Sequence, residues 1–91
     1  MPNKADFRKY YHDAHATDLL TDREKKLIGI AVAVVRNCQP WVDQRLADAG
    51  KAGISEEVLD ATFDLTTAVM AGIGQSMNQR YKQAVQAKEK P

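Results

Sequence analysis

The stretch Thr21-Asp22-Arg23-Glu24-Lys25-Lys26-Leu27-Ile28-Gly29-Ile30-Ala31-Val32-Ala33-Val34-Val35-Arg36 decides the fold. Its apolar run from Leu27 to Val35 is rich in β-branched residues, which would suit a buried strand. Its opening argues otherwise. Thr21 and Glu24 have the spacing of a capping box, in which the hydroxyl accepts from one free amide and the carboxylate from another. The length from Asp22 to Arg36 also suits a helix, buried on most sides. The run is too short to span a bilayer.

Working outward, Asn37 is suited to a left-handed C-cap. The next segment opens at Cys38 or Gln39, with Pro40 in the first turn, where its missing N–H is not needed. Val42, Leu46 and Ala49 mark its inward face, and Trp41 and Arg45 lie on a neighbouring one. Gly53 ends it, because glycine takes a positive φ without steric cost. Ser55 caps a fourth segment with Glu56 and Glu57 in its first turn, and Ile54 and Leu59 stand at staple positions. Val58, Thr62, Leu65 and Val69 form one stripe there, with Leu59, Phe63 and Met70 on a second.

Gly72 and Gly74 interrupt that pattern, and a fifth segment carries Ile73, Met77, Tyr81 and Val85 on one face. Before the decisive stretch, Phe7, Tyr10, Tyr11 and Ala14 fall at helical spacing between about Lys4 and His15. No strand or hairpin signal outweighs the helical ones. The expected fold is all-α: five helices with a central antiparallel helical hairpin.

The bulk properties bound the function. Ninety-one residues make a single domain, 1–91, whose charged tail 86–91 is expected to fray. Thirteen basic and twelve acidic residues leave a net charge of +1, which predicts neither nucleic-acid binding nor a polybasic membrane anchor. One cysteine allows no intrachain disulfide. Residues 1–11 hold no apolar run of the signal-peptide kind. A cytoplasmic protein is expected, and nothing in the sequence implies a cofactor.

Residues from about Leu20 to Gly74 resemble the carboxymuconolactone decarboxylase family, which includes the alkylhydroperoxidase D proteins. The resemblance is carried by the apolar helix behind its threonine- and charge-rich turn and by the cysteine after Arg36-Asn37. It continues in Lys51-Ala52-Gly53, Ile54-Ser55-Glu56-Glu57-Val58 and Met70-Ala71-Gly72-Ile73-Gly74. It implies homo-oligomers, commonly trimers or hexamers of helical protomers. Redox-active members carry Cys-x-x-Cys-x-x-x-His and an upstream glutamate. On this chain the first cysteine falls on Cys38, the second on Trp41, the histidine on Arg45 and the glutamate on Lys26.

The chemistry of these side chains agrees with a lost redox centre. A dithiol cycle needs a second sulfur to resolve the oxidised one. Arginine stays charged at working pH and cannot relay protons. Lys26 would act as a base only if strongly desolvated. Cys38 keeps two readings: a thiolate favoured by a helix N-terminus and nearby cations, or a buried small hydrophobe. Trp41 either stacks on a ligand or fills the former pocket. Arg45 either binds an anion through its fork of donors or pairs with Asp43, Asp48 or a neighbouring subunit's carboxylate. His12 and His15 lie three apart, but no third or fourth ligand accompanies them, so no metal site is expected.

Three functions compete on this basis. The leading expectation is a family member without the redox centre, acting as a binding or structural homo-oligomer with a small ligand near Trp41. The alternative is a one-cysteine, alkylhydroperoxidase-like antioxidant enzyme that uses Cys38 and an external thiol reductant. The third is a helical adaptor unrelated to the ancestral pocket. The candidate site residues are Cys38, Lys26, Arg45 and Trp41.

Overall fold

The capping box forms as its spacing predicts. Thr21 N–H donates to Glu24 Oε1 at 2.8 Å, and Glu24 N–H donates to Thr21 Oγ1 at 3.1 Å. The computed structural model describes residues 4–89, and these hold four helices and no strand: α1 (Lys4–His15), α2 (Asp22–Val35), α3 (Gln39–Lys51) and α4 (Glu56–Glu89). The all-α expectation holds, and the expected count of five does not. Segments four and five are one helix of 34 residues. Glycine inside a helix costs backbone entropy but clashes with nothing, so Gly72 and Gly74 weaken α4 without breaking it.

Two turns of one kind fix the path of the chain. At the end of α2, Cys38 N–H donates to Ala33 O and Asn37 N–H to Val34 O, both at 3.0 Å, with Asn37 at φ 53°. At the end of α3, Ile54 N–H donates to Ala49 O and Gly53 N–H to Gly50 O, with Gly53 at φ 81°. Each is a Schellman closure, in which two amides beyond the helix satisfy carbonyls of its last turn. The inner acceptors, Ala33 and Ala49, are both buried. A small side chain at each point lets the returning backbone pack close against the helix it has left.

α2 is the central element. α3 packs along it most extensively, and α4 packs on another side. Among the described residues the buried apolar core is Ile30, Ala33 and Ala49. Val58, Leu59, Thr62 and Phe63 are half-buried on α4, beside the buried Thr66. Thr62 and Thr66 return their hydroxyls to the carbonyls of Val58 and Thr62, each at 2.7 Å, which removes the cost of burying those polar atoms.

The expected burial of α2 on most sides is not met within one chain. Ile28, Val32 and Val35 are each about half exposed. Along α4, Leu65, Val69, Ile73, Met77 and Tyr81 are exposed as well. The radius of gyration is 18.4 Å, against roughly 12 Å for a compact chain of this length. The cause is α4. At 1.5 Å per residue its 34 residues span about 51 Å, well over twice the length of α2, so its far half extends past the other helices.

Two sets of variants test this architecture. Gly74→Ala should raise stability by about 0.5–1 kcal/mol, because α4 is continuous and an added Cβ meets open space. Gly53→Ala should lower it by about 1–2 kcal/mol, because the left-handed backbone penalises a Cβ. Thermal melts of both variants check the opposite signs. For pH, the amide and then the hydroxyl of Thr21 hold the Glu24 carboxyl below its ordinary value of 4.5. Its contribution is therefore complete above that ordinary value and disappears as pH falls through the lower folded value. Glu24→Gln keeps the capping geometry, so its melting temperature should decline less in acid than that of the wild type.

Candidate functional site

The Schellman closure of α2 makes Cys38 both the residue that follows α2 and the N-cap of α3. One turn of α3 later comes Trp41, and four residues beyond that Arg45. Because α3 packs back along α2, this row lies against the Gly29 face of α2. The guanidinium of Arg45 rests on Gly29: a Cβ built there would lie 3.0 Å from Arg45 Cζ and closer still to a terminal nitrogen. The same guanidinium stands 5.4 Å from the centre of the Trp41 ring, within cation–π range. Gly29 thus makes the room that Arg45 occupies.

A cavity of about 440 Å³ opens here between α1, α2 and α3. Cys38, Trp41 and Arg45, three of the four candidates named from sequence, line it together. Lys26 does not. Its ammonium binds Asp22 Oδ2 at 3.0 Å, one turn back on α2. That hydrogen bond, followed by the lysine's charge, holds the Asp22 carboxyl below its ordinary value. The neighbouring Lys25 lines the cavity instead and donates to the carbonyl of His15 at 2.5 Å.

Two cavity residues come from α1, and sequence reasoning missed both as site members. Tyr11 and His15 are stacked, with ring centres 4.2 Å apart. His15 Nδ1 lies 2.8 Å from Tyr11 O. A carbonyl only accepts, so Nδ1 carries the hydrogen and the other ring nitrogen is left for other partners. Their spacing of four was the available signal. His12 points elsewhere, 3.5 Å from Asp13 Oδ1 and well exposed. Among the described residues, no three His, Cys, Asp or Glu side chains gather as a metal site would require.

The charge of the cavity is one-sided. Lys25, Arg36 and Arg45 supply cations, His15 adds its imidazole, and no carboxylate among the described residues lines it. The two acids on α3 that were candidates to neutralise Arg45 are taken by glutamines: Asp43 accepts from Gln39 at 2.8 Å and Asp48 from Gln44 at 3.1 Å. Among the described residues no acidic side chain forms an ion pair with Arg45. Ile28, Val32, Ala33 and the rings of Tyr11 and Trp41 form the apolar walls. Cys38, half-buried, also borders a smaller cavity of about 140 Å³ that reaches Val42 and Phe63 and is edged by Asn37 and Gln39.

Gly29→Ala separates the stability of this site from its shape. Alanine improves α2 by roughly 0.5–1 kcal/mol, and the flexible end of Arg45 can swing aside. The variant should melt at or above the wild-type temperature. Its Trp41 fluorescence should nevertheless change, because the guanidinium leaves the indole.

Comparison with known proteins bears on this arrangement. No curated protein and no solved structure matches the chain. The model of the carboxymuconolactone decarboxylase family matches residues 3–85, so the match takes in α1 and most of α4, beyond the 20–74 that carried the sequence resemblance. A four-helix chain matched over nearly its whole length belongs to the carboxymuconolactone decarboxylase family.

Proposed function

We propose that this protein is a homo-oligomer, trimeric or hexameric, that binds a small apolar anion in the cavity between α1, α2 and α3 and runs no dithiol peroxidase cycle. The observation that carries the reading is the charge of the cavity wall: among the described residues it has three cations, no carboxylate, and two guanidiniums, Arg36 and Arg45, in no ion pair. A guanidinium against an aromatic ring offers a fork of donors to a carboxylate while the ring covers the ligand's apolar body. About 440 Å³ is in the range of small-molecule sites. The assembly is supported by the small buried core and by the exposed apolar faces of α2 and α4.

The dithiol cycle fails on atoms. Oxidation of Cys38 would leave a sulfenic acid that needs a second thiol to close the disulfide of a dithiol cycle, and the chain has no second cysteine. Trp41 and Arg45 stand where the resemblance places the resolving thiol and the proton carrier, and neither does that chemistry.

One observation favours a second reading: Cys38 reaches the same cavity. In a one-cysteine cycle its thiolate attacks the terminal oxygen of a hydroperoxide. The O–O bond breaks, the alkoxide leaves and takes a proton, and the sulfur becomes sulfenic acid. An external thiol then condenses with it, releasing water and forming a mixed disulfide. A second external thiol frees Cys38 and departs as an oxidised disulfide.

Titration with 2-naphthoate, followed by quenching of Trp41, the sole tryptophan, tests the first reading. Binding should saturate, and neutral 2-naphthamide should bind more weakly. Arg45→Met should lose about 10- to 100-fold in affinity, as expected for a charged hydrogen-bond donor. Lys26→Gln, off the cavity wall, should bind like the wild type. Hydroperoxide should not be consumed in the presence of dithiothreitol. Failure of every carboxylate to bind would overturn the anion site, and sustained peroxide turnover abolished by Cys38→Ser would establish the second reading.

A further inference from the structure

A second groove, of about 400 Å³, runs between α2 and α4 and is walled by Val32, Val35, Leu65, Val69 and their neighbours. Apart from Arg36 and Thr66 its lining is apolar, and it leads along α4 into the exposed stripe Ile73, Met77 and Tyr81. Two residues, Val32 and Arg36, line both this groove and the anion cavity. They form the ridge between the two. Whatever covers the groove therefore lies at the edge of the cavity.

We propose that a second copy of this chain occupies the groove, completes the wall of the anion cavity at Val32 and Arg36, and so links ligand binding to assembly. The inference rests on the anion-site reading above and extends it. The occupant follows from the chain itself. The groove needs an apolar helix face, and the far half of α4 presents one that no other described element of the same chain covers. If fully covered, the groove walls and the stripe would bury on the order of 850 Å² of largely apolar residues, comparable to the ~800 Å² per partner of a standard stable interface. Covering the ridge also removes water beside Arg36. The attraction between a bound anion and the cavity's cations strengthens as the local dielectric falls.

Linkage makes the proposal measurable, because each equilibrium must shift the other by the same factor. Sedimentation and 2-naphthoate titrations of the wild type are made over a dilution series from about 100 µM to 0.1 µM. The expected result is an assembly that dissociates on dilution, with naphthoate affinity falling at least about tenfold across the transition. Saturating naphthoate should move the dissociation midpoint to lower protein concentration by a comparable factor. Val69→Lys changes the groove but no residue of the anion cavity, so it should sediment as a single chain and bind naphthoate at least about tenfold more weakly. If that variant loses its helical signal, the wild-type dilution series decides.

Equal naphthoate affinity in assembled and dissociated protein overturns the linkage and leaves the anion site standing. A single chain at 100 µM with full naphthoate affinity overturns the second copy as occupant and points to another partner or to none. Absence of naphthoate binding at every concentration overturns both the linkage and the anion site beneath it.

Discussion

The hydrogen bond from the amide of Cys38 to the carbonyl of Ala33 governs the rest of the structure. It closes α2 and sets the direction in which α3 leaves. It requires a left-handed residue just before it, supplied by Asn37, and its acceptor is the carbonyl of the buried Ala33. Given that turn, α3 returns along α2 with Trp41 and Arg45 over Gly29, and the cavity follows. The thiol of Cys38 takes no part in capping α3. The geometry depends on the backbone at this position rather than on the sulfur.

Much of the fold was legible because it is locally encoded. The Thr21–Glu24 box, the left-handed Asn37, the proline in the first turn of α3 and the glycine at its end each act within a few residues, and each is found where its type predicts. The expected break at Gly72 and Gly74 shows the limit of that logic. Glycine lowers helix propensity, but ending a helix needs a competing closure, and at 72–74 none forms. The same residue type ends α3 at Gly53, where the backbone turns left-handed and two amides fold back onto the helix.

The site was half legible. Alignment of the family motif picked out Cys38, Trp41 and Arg45, and these do share a cavity. It also picked Lys26, which pairs with Asp22, whereas the adjacent Lys25 faces the cavity. A shift of one position on a helix turns a side chain by about 100°, and a motif carried over by position cannot resolve that when the residue itself has changed. Tyr11 and His15 were missed because their role depends on how α1 lies against α2. Gly29 had a readable signal, a glycine within an otherwise strong helix. Its meaning emerges only once Arg45 is seen resting on it.

The length of α4 has one more consequence. Its first half is held by α2, which nucleates the helix, and the rest propagates one residue at a time into solvent. Local opening should therefore be graded along a single rod, firm near Thr66 and progressively looser toward Glu89. Trypsin acting on the separated chain would find Arg80, Lys82 and Lys88 on the looser portion. Protection of those sites would then report directly on whether the far end of α4 is covered.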